Sequence, residues 1–135
     1  MKITLNGKEY TIKFGYEATV KNKILKKVAD LETSADNLEA LDKMLILAPE
    51  LLLVGLQKFH SDTFGFDFDD KEAKEKQLAK MYDLLDDYLD PENEEGGDIM
   101  SLYNDLSAEL EKNSFLSKLL EQEAQAQSKK PPKAK

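Results

Sequence analysis

His60, Ser61 and Asp62 place a base, a hydroxyl and a carboxylate at consecutive positions. Nucleophilic catalysis needs those groups set by the geometry of a fold, and neighbours along a chain do not form a triad. His60 is the only histidine of the chain, and a place at a helix end, where imidazole suits the negative pole of the helix dipole, accounts for it. Asp67, Asp69 and Asp70 suggest a calcium loop, but such a loop needs acidic or amide groups at positions one, three and five, glycine at the sixth and glutamate at the twelfth. Counted from Asp67, the fifth, sixth and twelfth positions hold Lys71, Glu72 and Leu78. Asp86 and Asp87 are two carboxylates of the kind acid–base chemistry uses, yet adjacent helical residues point in different directions. Gly96-Gly97 lacks both the Lys-Ser/Thr and the preceding strand of a phosphate loop. Cysteine is absent, which removes disulfides, thiolate metal sites and thiol catalysis, and one histidine cannot build the usual zinc sites. No reaction type is nominated. The chain reads as a protein that is not an enzyme and has no cofactor or metal.

Charge points the same way, toward binding. The formal charge is −8 over 135 residues, which disfavours nucleic acid as a partner, because phosphate binding needs clustered Lys and Arg. Residues 62–98 hold four lysines against fourteen acids, whereas residues 1–30 hold seven lysines against three acids. The acidic run reads either as a solvated face that keeps the protein dispersed or as a surface that steers a basic partner. The longest apolar stretch, Met44 to Leu56, is broken by Pro49-Glu50 and Gly55 and falls short of the roughly 18 to 20 residues that cross a bilayer. Met1-Lys2 leads into an alternating segment and not into the apolar core of a signal peptide. A soluble, cytosolic chain is expected.

The elements that must position any binding surface can be read from period and turn chemistry. Asn6-Gly7 between Ile3-Thr4-Leu5 and Lys8 to Phe14 predicts a β-hairpin with a two-residue turn. With that turn Leu5 faces Lys8, Ile3 faces Tyr10 and Met1 faces Ile12, so Ile3, Leu5, Tyr10 and Ile12 form one apolar side. Tyr16, Val20, Ile24, Val28 and Leu31 predict a lysine-rich amphipathic helix. Thr33-Ser34 offers the cap of a second helix with Leu38, Leu41, Leu45 and Ala48 on one side. Pro49 is expected to open a new helix, and Leu51–Leu56, apolar all round, to form the buried centre. Phe59 to Asp70 reads as a loop with Phe64, Phe66 and Phe68 tucked onto the core. Beyond it, a helix from about Lys71 to Leu89 presents Leu78, Met81, Tyr82, Leu85 and Leu89. After a breaker-rich loop at 90–97, Asp98 caps a helix carrying Ile99, Leu102, Tyr103, Leu106 and Leu110.

Phe115, Leu116, Leu119 and Leu120 form a last apolar stripe. It either completes the helical core or presents an anchor for a partner helix, and it is the sequence's candidate partner-binding site. Residues 121–135, rich in Gln, Ala, Ser, Lys and Pro, read as a disordered polar, basic tail. The fold class is therefore mostly α: one compact helical domain over residues 1–120, a small N-terminal β-hairpin at about residues 1–14, and that tail.

The run Met1-Lys2-Ile3-Thr4-Leu5-Asn6-Gly7-Lys8-Glu9-Tyr10-Thr11-Ile12-Lys13-Phe14-Gly15 resembles the opening of tail assembly chaperones from long-tailed phages of Gram-positive bacteria. That family tends to begin hydrophobic-x-hydrophobic-Asn-Gly-Lys-x-Tyr-x-hydrophobic-x-Phe-Gly and to continue as helices. The likeness extends as an architectural match over residues 1–120. It implies binding to the long, hydrophobic, helical tape measure protein, which is kept soluble until the tail tube polymerises around it. It also implies action in the host cytoplasm and absence from the mature virion. In many members a frameshifted longer form recruits tail tube subunits, so the tail tube protein is a second implied partner. No family binding residue maps one by one onto this chain. A rival reading, from a different class, is an acidic DNA mimic or inhibitor of a basic host protein, acting through residues 62–98.

Overall fold

In the computed structural model, which describes residues 1–34 and 36–118, Asn6 and Gly7 both take positive φ, 51° and 80°. This mirror-image turn matches the twist of two antiparallel strands. It joins β1 (Lys2–Leu5) to β2 (Lys8–Thr11) with Ile3 opposite Tyr10 and Leu5 opposite Lys8, in the expected register. The Ile12 N–H donates to the Met1 carbonyl at 2.8 Å, extending the pairing by one step. Ile3, Leu5, Tyr10 and Ile12 are all buried.

Two short helices, α1 (Tyr16–Lys21) and α2 (Ile24–Glu32), replace the single helix expected after the hairpin. Lys23 adopts left-handed backbone at φ 55°, and the buried Asn22 amide donates to the Ala18 carbonyl at 2.7 Å, satisfying a helix-end acceptor. The turn exchanges the inward set. Ala18, Thr19, Ile24 and Val28 face the core, while Tyr16 and Val20 are exposed.

The Thr33 and Ser34 hydroxyls donate back to the Ala29 and Asp30 carbonyls at the end of α2, so neither caps the next helix. Asp36 does, its carboxylate accepting from the Leu38 N–H at 2.9 Å. The helix it opens, α3 (Asn37–Phe64), runs through Pro49 without interruption. An interior proline deprives the Leu45 carbonyl of its donor and costs about 3 kcal/mol. Burial of Leu47, Ala48, Leu51, Leu52 and Leu53 around it offsets that cost. Leu51–Leu56 is the buried centre as expected, because α3 packs against α1, α2, α4, α5 and β2 at once.

Gly55 makes the closest of these approaches possible. A Cβ there would meet Ile12 Cγ2 at 2.6 Å, and the Lys13 N–H donates to the Gly55 carbonyl at 3.0 Å. The chain leaving the hairpin thus lies directly on the α3 backbone. Helix α3 also continues past Phe59 to Phe64, with non-helical angles only at His60 (φ −130°, ψ 30°), so the expected loop shrinks to 65–70. The Gln57 amide donates to the Leu53 and Phe64 carbonyls and closes that end. Phe64 is buried, and Phe66 and Phe68 pack onto the core edge to face, 5.1 Å apart.

Asp70 caps α4 (Lys71–Tyr88), accepting from the Glu72 and Ala73 N–H groups. Met81 and Leu85 face inward, whereas Tyr82, expected on the same stripe, is exposed. Asp98 caps α5 (Ile99–Lys112), which buries Leu102, Tyr103, Leu106 and Leu110. Two carboxylates enter the interior with partners. Glu50 binds Lys27 at 2.6 Å and also Lys74. Glu109 accepts from the Met1 ammonium at 3.0 Å and the Asn113 amide at 2.7 Å.

The fold is mostly α with a two-stranded N-terminal hairpin. Among the described residues no helix is long and apolar enough to cross a membrane. The expected tail, residues 121–135, lies outside the described residues.

Candidate functional site

Leu38, Leu41 and Leu45 recur at the three- and four-residue spacing of one helix face. The sequence groups them on one side of the helix with Ala48, which is buried. The three leucines are 73%, 41% and 43% exposed. Apart from the face of Glu39, Asp42 and Lys43, the first half of α3 is apolar over a wide arc, so two apolar faces compete for burial. The contacts of α3 with α2 and α5 settle the competition by drawing Met44, Leu47 and Ala48 inward. The leucine face is left to solvent.

Helix α5 extends this face. Met100 in its first turn is 55% exposed and lines a groove of about 410 Å³ with Leu31, Leu41, Met44 and Tyr103. On the other flank Leu45 lines a second groove, about 290 Å³, with Pro49, Tyr82, Leu89 and Ile99. Leu45, Leu89 and Ile99 also border a shallower depression of about 590 Å³ beneath the 90–98 loop. Leu41 and Leu45 are thus the ridge between two apolar grooves, with adjacent α5 residues on either side. Contiguous exposed apolar surface of this kind marks an interaction site more often than a scatter of single side chains does.

Polar side chains border the ridge on both flanks: Asn37 and Asn104 line the first groove, and Asp86 and Asp90 the second. The Tyr103 hydroxyl is buried beside the first groove, with the Ser107 hydroxyl as a polar neighbour. Burial pushes its pKa up, the Ser107 hydroxyl opposes that shift, and Glu32 and Glu111 add to it. Asp98, bordering the depression under the loop, accepts from the Ser101 N–H and hydroxyl, both at 2.9 Å. Those bonds hold its carboxyl below the ordinary range, so that border is anionic at neutral pH.

The stripe singled out from sequence divides. Leu116 is buried in the core, and Phe115 is half-buried with its ring edge to face against Tyr16 at 5.0 Å. Leu119 and Leu120 lie outside the described residues. His60 accepts from the Thr11 N–H through Nε2 at 3.0 Å and meets the Tyr10 ring edge on; this structural contact employs its lone pair. Asp67 accepts from the Asp69 N–H, Asp70 caps α4, and Asp69 pairs with Lys21 at 3.6 Å. Each of these acids has a local structural partner. Among the described residues no group of three or more His, Asp or Glu side chains is placed to hold a metal ion.

The leucine ridge was missed as a surface because its spacing looked like a core stripe. The available signal was an excess: Leu38, Leu41, Met44, Leu45, Ile46 and Leu47 are more apolar positions than one helix face can bury. No protein family matches this chain, and no curated protein or solved structure shows significant similarity to it.

Proposed function

We propose that this chain acts by binding another protein, as a phage tail assembly chaperone that holds the tape measure protein soluble in the host cytoplasm. In this reading it helps recruit tail tube subunits and is absent from the finished virion. The observation that carries the binding function is the exposed ridge of Leu38, Leu41 and Leu45 between two apolar grooves. Fully burying one such side chain is worth about 1.5–3 kcal/mol, so a helix laid along the ridge gains several favourable contacts without disturbing the core. The hairpin sequence Met1–Gly15 and the helical architecture support the choice of family.

An acidic surface that binds a basic host protein is the second reading, resting on the fourteen acids of residues 62–98. It predicts loss of binding when Asp86, Asp87, Glu94 and Glu95 are neutralised. The chaperone reading predicts dependence on apolar residues. Co-expression with the tape measure protein of the same phage, followed by sedimentation, tests it. The client is expected in the supernatant only when the chaperone is present, with a complex that survives about 0.5 M salt. A client that precipitates regardless would overturn the assignment.

A further inference from the structure

The groove on the α4 side of the leucine ridge has an acidic border. Its apolar lining of Leu45, Pro49, Tyr82, Leu89 and Ile99 is accompanied by Asp86 and Asp90, and the depression that continues it adds Asp98. No lysine lines either one among the described residues. The groove on the opposite flank of the ridge has no charged lining residue. The surface is therefore asymmetric: apolar along α3, uncharged toward Met100 and Tyr103 of α5, and anionic toward the α4–α5 connection.

From this charge complementarity we infer that the occupant of the ridge is an amphipathic helix whose apolar stripe is flanked on one side by Lys or Arg. Its apolar residues lie between Leu41 and Leu45, while its basic side chains reach Asp86, Asp90 and Asp98. The Leu38-to-Leu45 ridge rises about 10 Å, two helical turns, so four apolar positions at i, i+3, i+4 and i+7 cover it. The carboxylates select and orient the partner by attraction, and the leucines supply the contact that persists when salt screens the charges. A second copy of this chain supplies no cation to the acidic border: an antiparallel two-fold sets acids against acids, and a parallel one sets them against the uncharged groove. The inference rests on the binding function proposed above and specifies the partner's chemistry.

Two synthetic helices of about 16 residues, roughly four turns, test it with the full chain. Both carry the same leucine stripe, one with lysine and one with glutamate at the flanking positions. Calorimetry at low salt is expected to show the lysine helix binding at least about tenfold more tightly than the glutamate helix. Asp86→Asn with Asp90→Asn should bring the two within about threefold, since asparagine can still accept the Glu92 N–H that Asp90 holds. Leu45→Asp should abolish both while circular dichroism shows the variant still folded, because Leu45 is 43% exposed and lies outside the buried core. Equal affinity for the two helices, or binding that survives Leu45→Asp, overturns the inference. So does a dimer that forms without peptide and is dissolved by Leu45→Asp, which would assign the ridge to a second copy. If neither helix binds while the client still stays soluble on co-expression, the inference fails and the chaperone reading stands.

Discussion

The Thr11 backbone N–H donates to Nε2 of His60 across 3.0 Å, tying the end of β2 to the last turns of α3. His60 sits where α3 leaves helical geometry, and its ring also meets Tyr10 edge on at 5.0 Å. One imidazole thus satisfies a strand-end donor and covers the buried face of the hairpin. A nitrogen that accepts carries no proton, so the tautomer is the one protonated at Nδ1.

His60→Leu keeps most of the volume and removes the acceptor. Leaving a part-buried N–H unpaired costs about 1–3 kcal/mol, and urea unfolding followed by circular dichroism should show that loss. A midpoint equal to that of the parent would mean that the Thr11 contact adds nothing to the hairpin's docking.

Gly55→Ala tests the close approach of the hairpin exit to α3. In an ordinary helix the change would stabilise, by roughly 1 kcal/mol. Here the new methyl would meet Ile12 Cγ2 at 2.6 Å, and overpacking of this kind costs about 1–3 kcal/mol. The predicted sign is therefore destabilising. A more stable variant would show that Ile12 moves aside freely.

Glu109 gives the protein an acid-sensitive contact. Burial alone would raise its pKa, but the Asn113 amide, the Met1 ammonium and Lys13 outweigh burial and hold it below the ordinary 4.5. Its folded pKa is lower than its unfolded one, so its contribution is complete above the ordinary carboxylate range. It is lost as pH falls through the depressed value. Glu109→Gln should lower stability near neutrality, with the difference from the parent shrinking as the solution is acidified below that range. A difference independent of pH would assign the effect to packing alone.

Lys27→Met with Lys74→Met would leave the Glu50 carboxylate buried without either cation. Stranding a buried charge costs about 3–5 kcal/mol, and the double variant should unfold at markedly lower denaturant. Adding Glu50→Leu should restore most of the loss, because the apolar replacement has no charge to strand.

Local chemistry explains which parts of this fold the sequence made legible. Asn6-Gly7 dictates its own turn, and the alternation around it fixes the register, so the hairpin could be read residue by residue. Asp98 announced α5 for the same reason: a cap and its helix are neighbours. The break at Asn22-Lys23 carried no glycine or proline, and the left-handed residue is a lysine whose conformation serves the placement of Ile24 in the core. Pro49 misled because burial on every side outweighs a missing hydrogen bond, and that burial comes from elements far along the chain. The leucine ridge was hidden by the same kind of competition. Leu38, Leu41 and Leu45 have the period of a buried stripe, but Met44 and Leu47 have it too, and only the positions of α2 and α5 decide between them.

The most direct test of the central claim is client solubility with Leu41→Asp and Leu45→Asp introduced together. The side chains are 41% and 43% exposed, so each change should cost about 1–2 kcal/mol through lost apolar contact and lower helix propensity. The fold of the double variant is checked by circular dichroism. Co-expressed with the tape measure protein, the parent should keep the client in the supernatant, and the folded double variant should leave it in the pellet. A double variant that folds and still holds the client soluble would contradict the account, because the ridge would then not be the surface that binds it.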